Sequence, residues 1–177
     1  MKLNYSLSEL DFLNYHMYAS SKSKIQIKKR RRNRLIIPLF YVFFGLFLIW
    51  ANKNLGFLFL GFALLWYLIY PKYSKWYHKK HFEKHIKENH KNRVNKPVEI
   101  EFFEDHFTSK DAASESTTKT SELDELIEVD DYFYIKLVSG LSFIIPKSAV
   151  KDGEDFKNMI VNTYTVEYIN EVNYKWQ

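Results

Sequence analysis

Apolar residues in this chain are concentrated in two uninterrupted runs, residues 35–51 and 55–70, which hold no charge and flank the tripeptide Asn52-Lys53-Asn54. At about 1.5 Å rise per residue, each run makes a helix of roughly 25 Å, just under a hydrocarbon core of ~30 Å. Trp50 stands at one end, and Trp66, Tyr67, Tyr70, Tyr73, Trp76 and Tyr77 crowd the other, as in aromatic belts at headgroup depth. The pattern predicts a transmembrane helical hairpin. A soluble core helix pair this rich in Phe and Leu would need more apolar cover than the rest of the chain supplies. Pro38 is expected in the first helical turn, and Gly45 and Gly61 are expected to let the two helices approach closely.

Outside the hairpin the periodicity changes. Residues 1–7 alternate apolar and polar positions and predict a short strand. Ser8-Glu9-Leu10-Asp11 is a capping signal for a helix to about residue 20, with Leu10, Leu13, Met17 and Tyr18 as its apolar stripe. Residues 71–92 are polar, basic and aromatic, and predict a helical continuation of the second run with a weak apolar face at Phe82 and Ile86. From Pro97 the period falls to two. Strands are predicted at Val98-Glu99-Ile100-Glu101-Phe102 and at 106–109, with a turn at Glu104-Asp105 and an edge strand at 114–120. Residues 132–139 and 141–146 form a hairpin about Gly140, and Asp152-Gly153-Glu154-Asp155 opens a last helix with Phe156, Met159 and Ile160 on one side. The fold class is therefore an α+β membrane protein: a two-helix transmembrane hairpin plus a small antiparallel β domain closed by a C-terminal helix. That domain has about 80 residues, near the lower limit for a self-sufficient core.

Charge sorts the chain into four parts. Residues 1–34 net +7, the hairpin 35–70 +1, the connector 71–97 with Val98 +7, and the β domain from there to 177 −10. Basic flanks resist translocation, so both termini are expected in the cytoplasm and the turn 52–54 outside, a multi-pass N-in/C-in arrangement in the cytoplasmic membrane. The late, long apolar segment followed at once by a second one argues against a cleavable signal peptide. The absence of cysteine removes disulfides and thiolate chemistry.

The candidate chemistry is sparse. His78, His81, His85 and His90 have helical spacing but alternate with lysines, and no carboxylate beyond Glu88 is placed to complete a zinc shell. Asp124, Glu125, Glu128, Asp130 and Asp131 cluster without a calcium-loop pattern. No nucleophile elbow, phosphate loop or metalloprotease motif is present, so neither enzymatic activity nor a cofactor is expected. The basic run beside the apolar segment fits anionic lipid headgroups rather than nucleic acid, with Lys28, Lys29, Arg30, Arg31, Arg32, Arg34, Lys72 and Lys75 as the contact residues.

Tyr5, Leu7, Asp11, Phe12 and Leu13, the block Leu126-Ile127 with Tyr132-Phe133-Tyr134-Ile135, and Phe143-Ile144-Ile145-Pro146-Lys147 followed by Ala149 resemble the bacterial YcxB-like family of membrane proteins. The chain departs from the family pattern at Val150 and Leu123, where aromatic residues are usual. The resemblance implies a membrane-anchored, cytosolic domain like a small PH-like barrel. The expected function is an anchored binding module whose partners are the anionic bilayer and a membrane or cytosolic protein. The alternative is an accessory subunit of a transporter, or a small oligomeric channel.

Overall fold

The computed structural model describes residues 1–176. It divides into a β-rich unit, Met1–Tyr15 with Glu83–Lys175, and a helical unit, His16–Phe82 with Trp176. These limits fall at other places than the charge steps at 34, 70 and 97.

The β-rich unit begins with β1 (Lys2–Ser6), which lies at the edge of a four-stranded antiparallel sheet with β2 (Pro97–Phe102), β3 (His106–Lys110) and β4 (Glu115–Lys119) in the order β1-β2-β3-β4. Leu3 stands opposite Ile100 and Tyr5 opposite Val98. The Met1 ammonium donates to the Phe102 carbonyl at 3.0 Å, and the Phe102 N–H donates back to Met1 O at 2.8 Å. A second sheet has the order β7-β6-β5-β8, built from β5 (Leu123–Glu128), β6 (Tyr132–Leu137), β7 (Ser142–Pro146) and β8 (Glu167–Asn170). β8 runs parallel to β5. The β6–β7 reversal uses Gly140 at φ +85°, where a side chain would be strained.

Helix α1 (Glu9–Lys22) starts at a reciprocal cap: the Ser8 N–H donates to Asp11 Oδ2 at 2.6 Å, and the Asp11 N–H donates to Ser8 Oγ at 3.3 Å. Its buried apolar positions are Phe12, Leu13 and Tyr18, while Leu10, expected inside, is 59% exposed. The last helix, α4 (Gly153–Tyr164), is capped by Asp152, whose carboxylate accepts from the Glu154 and Asp155 N–H groups. Phe156 of α4 lies 5.2 Å from the Phe133 ring and 6.1 Å from Phe102, so the helix joins the two sheets in one core with Leu3, Ile100, Phe107 and Ile145.

In the helical unit, α2 (Lys24–Ala51) and α3 (Lys53–Asn89) are both long and apolar enough to cross a membrane. Only 6% and 17% of their most apolar windows are buried, and Trp50 is 95% exposed, which is the reverse of a soluble core helix. The predicted turn contracts to Asn52. Its N–H closes α2 on Leu48 O at 2.7 Å, and its Oδ1 opens α3 by accepting from the Asn54 and Leu55 N–H groups. α3 runs through Pro71 into the β-rich unit as the predicted continuation, and Ile86 is fully buried there.

Two expectations in this unit are corrected. Pro38 is not in a first turn, because α2 already begins at Lys24 through the basic arm. Gly61 has open space around it, and the close approach is made instead by Gly45 and Gly56: a Cβ on Gly56 would fall 2.3 Å from Ile49 Cγ1 and 2.9 Å from Gly45 O.

Leu3→Ala is expected to cost about 3 kcal/mol, since it empties a position under both sheets. Urea denaturation of the detergent-solubilised chain measures it, and a loss under ~1 kcal/mol would mean that β1 is peripheral. Gly56→Ala should lower the thermal midpoint of the hairpin, whereas Gly61→Ala should leave it equal or raised.

Candidate functional site

On the second sheet, Glu128 of β5 receives two donors. Lys147 Nζ lies 2.7 Å from Oε1, and the Tyr168 hydroxyl donates to Oε2 at 2.6 Å. The Glu128 side chain is 14% exposed. Burial alone would raise its carboxyl, but the hydrogen bonds from Lys147 and Tyr168 outweigh this and hold it below the ordinary 4.5. Burial and the neighbouring Glu128 push the Tyr168 hydroxyl up to about 12. Lys147 follows Pro146 in a short 3-10 turn (Lys147–Ala149), which closes with the Val150 N–H on Lys147 O. Tyr132 of β6 donates to Asp11 Oδ1 at 2.6 Å and accepts from Asn14 Nδ2 at 3.1 Å, tying α1 to the sheet. Burial, then Asp11, pushes its hydroxyl up to about 12. Buried Leu126, Phe133, Ile135 and Ile145 back these polar pins, and Ile160 of α4 closes over them.

Residues 102–160 match the family model for YcxB-like protein. The YcxB-like segment runs from the last residue of β2 through most of α4, one third of the chain, and excludes β1, the hairpin and β8. Leu123 and Val150 are both buried in its core. No curated protein and no solved structure matches the chain.

The polar clusters flagged in the sequence resolve into ordinary pairs. Lys136 binds Glu125 at 2.9 Å and Asp124 at 3.2 Å across β5 and β6. His78 Nδ1 donates to Ser74 O at 2.8 Å, one turn back along α3. Asn89 Nδ2 lies 3.0 Å from His85 Nδ1. The His85 and His90 rings are 5.8 Å apart in the β-rich unit.

The helical unit holds a different kind of site. Two neighbouring clefts, of about 360 and 270 Å³, lie where the basic arm of α2 faces the aromatic end of the apolar run of α3, and both are lined by Arg30, Tyr70 and Ser74. Arg30 is 8% exposed; its guanidinium donates to Ser20 O at 3.2 Å and Ser21 O at 3.4 Å and lies 4.8 Å from the Trp176 ring. Arg34, one turn on, stacks 4.2 Å over Tyr67. Trp66 Nε1, Ser74 Oγ and Arg34 Nε are buried around the clefts without a hydrogen-bond partner. Residues 16–82 contain thirteen Lys and Arg and no Asp or Glu.

Of the predicted contact residues, Lys29 and Arg30 line one cleft, and Arg30, Arg31 and Arg34 line the other. Lys28, Arg32, Lys72 and Lys75 are exposed outside both linings. Trp66, Tyr70 and Ser74 were not anticipated as site residues. Their spacing of four along α3 is the signal that marks them, because it stacks them on one face.

Glu128 is held below its ordinary value, so its contribution to stability is full above about pH 4.5 and is lost as pH falls through the lower, folded-state value. Glu128→Gln is expected to lower stability at pH 7 and to narrow the difference between pH 7 and pH 3. Denaturation midpoints of both proteins at the two pH values measure the effect.

Proposed function

We propose that the chain is an integral protein of the bacterial cytoplasmic membrane, in which the hairpin anchors a cytosolic, PH-like binding module for a protein or lipid partner. The observation that carries this reading is the pairing of β1 with β2 across the intervening hairpin. The two strands belong to one sheet, so the chain must leave and return on the same side of any bilayer it enters. Two crossings satisfy that condition, and α2 and α3 supply two candidate spans. The basic residues on both flanks then favour the cytoplasm for the sheet. Two four-stranded sheets closed by a single helix support the PH-like description.

The mechanism is confinement. An anchored module searches a surface rather than a volume, which raises its effective concentration toward anything else in that membrane. The apolar, charge-free spans hold no polar lining for ions, which favours an anchor over a pore.

The natural absence of cysteine makes the test direct. A single Asn54→Cys should react with a membrane-impermeant maleimide on intact cells, and a single Ser116→Cys only after lysis. Labelling of Ser116→Cys on intact cells would refute the arrangement.

A further inference from the structure

We infer that the clefts between the basic arm of α2 and the aromatic end of α3's apolar run form a receptor for the phosphate of one anionic phospholipid; this deepens the membrane reading above and rests on it. Donors without acceptors are the starting point. Arg34 Nε, Trp66 Nε1 and Ser74 Oγ are all buried at these clefts and unpartnered, and folding around such groups is unfavourable unless something accepts from them. Ser74 lines both clefts, Trp66 one and Arg34 the other, so the adjoining clefts call for an acceptor with several oxygens.

The acceptor must also be an anion. No Asp or Glu side chain exists anywhere in residues 16–82 to balance the thirteen basic residues. Arg30 is fixed by the Ser20 and Ser21 carbonyls and by Trp176, and Arg34 by the Tyr67 face, so two guanidinium groups are held in place beforehand rather than left to sweep solvent. Fixed guanidinium groups match phosphate oxygens in geometry as well as charge.

Depth identifies the source of the phosphate. Arg34 is the last residue before the apolar run of α2, and Trp66 and Tyr70 lie in the last turns of the apolar run of α3. Ser74 is one turn further on. The donors thus sit at the level where hydrocarbon gives way to headgroups, and Ile37, Trp66 and Tyr70 offer an apolar wall for the glycerol and upper acyl chain. A diffuse basic surface would attract any anionic lipid in proportion to its charge. These clefts add neutral donors that recognise the phosphate itself.

Native mass spectrometry of the detergent-solubilised full chain, titrated with phosphatidylglycerol or phosphatidylcholine, tests the assignment. One phosphatidylglycerol should bind saturably and more tightly than phosphatidylcholine. Arg34→Gln should weaken it about thirtyfold. The double variant Trp66→Phe/Ser74→Ala, which keeps every charge and the aromatic ring, should weaken it about tenfold. Lys28→Gln removes one exposed charge and should cost no more than about fivefold. Equal losses for Arg34→Gln and Lys28→Gln, with the double variant unchanged, would overturn the receptor and leave the anchor intact. Displacement of the lipid by millimolar inorganic phosphate would assign the clefts to a soluble ligand and overturn the lipid. Release of the chain from native membranes by alkaline carbonate would overturn both readings.

Discussion

The contact between Met1 and Phe102, which lie 101 positions apart in sequence, governs the rest of this structure. It makes β1 part of a sheet whose other three strands come after the hairpin. Everything between β1 and β2 is therefore an insertion into a domain, not a leader in front of one. An insertion must begin and end near the same place. The single-residue break at Asn52 meets that demand, because it turns one helix directly into the next. The closure is stabilised locally by Leu3 against Ile100 and by the reciprocal backbone bonds of Met1 and Phe102, with the Ser8–Asp11 cap starting α1 immediately afterwards.

The two units are stabilised by different forces. The β-rich unit has an aromatic and aliphatic core, ringed by well-partnered polar groups such as Glu128 with Lys147 and Tyr168, and Tyr132 with Asp11 and Asn14. The helical unit has little buried apolar surface in its two long helices, a close glycine contact, and thirteen basic side chains with no Asp or Glu over residues 16–82. A unit of that kind depends on its surroundings for apolar cover and for counter-charge. Both come from an anionic bilayer in the proposed arrangement.

Much of the fold was legible from period and punctuation. The Ser8 cap, the reversal at Gly140, the Asp152 cap and the charge-free runs each announce themselves in a few adjacent residues. β5 and β8 were harder. β5 hides Leu126 and Ile127 among three acids, Asp124, Glu125 and Glu128, whose charge dominates a local reading, and a register shift between Leu123 and Glu125 breaks the alternation. β8 pairs in parallel with β5, and a parallel partner leaves no short-range turn signal. The glycine contact was half legible: composition marks Gly45, but the choice between Gly56 and Gly61 depends on how the helices are rotated. The basic members of the site were legible as a charge run. Their grouping was not, because Arg30 and Arg34 differ from Lys28 and Arg32 only in the direction they face around α2, and Ser74 has no distinguishing neighbours in sequence.

The insertion also sets an order of events during synthesis. β1 emerges first, yet its partner strand is not made until both long helices have been completed, so the sheet waits with an apolar edge unpaired. Loop-closure entropy grows only slowly with the length of the intervening chain, so the delay costs little once the hairpin has folded back on itself. Completion of the sheet then becomes conditional. In the proposed arrangement, a chain of which only one helix was threaded would strand β1 across the bilayer from β2 and leave Leu3 and Ile100 uncovered. Closure of the β-rich core would thereby report on the proposed anchor, because only a chain that crosses twice or not at all brings β1 back to β2.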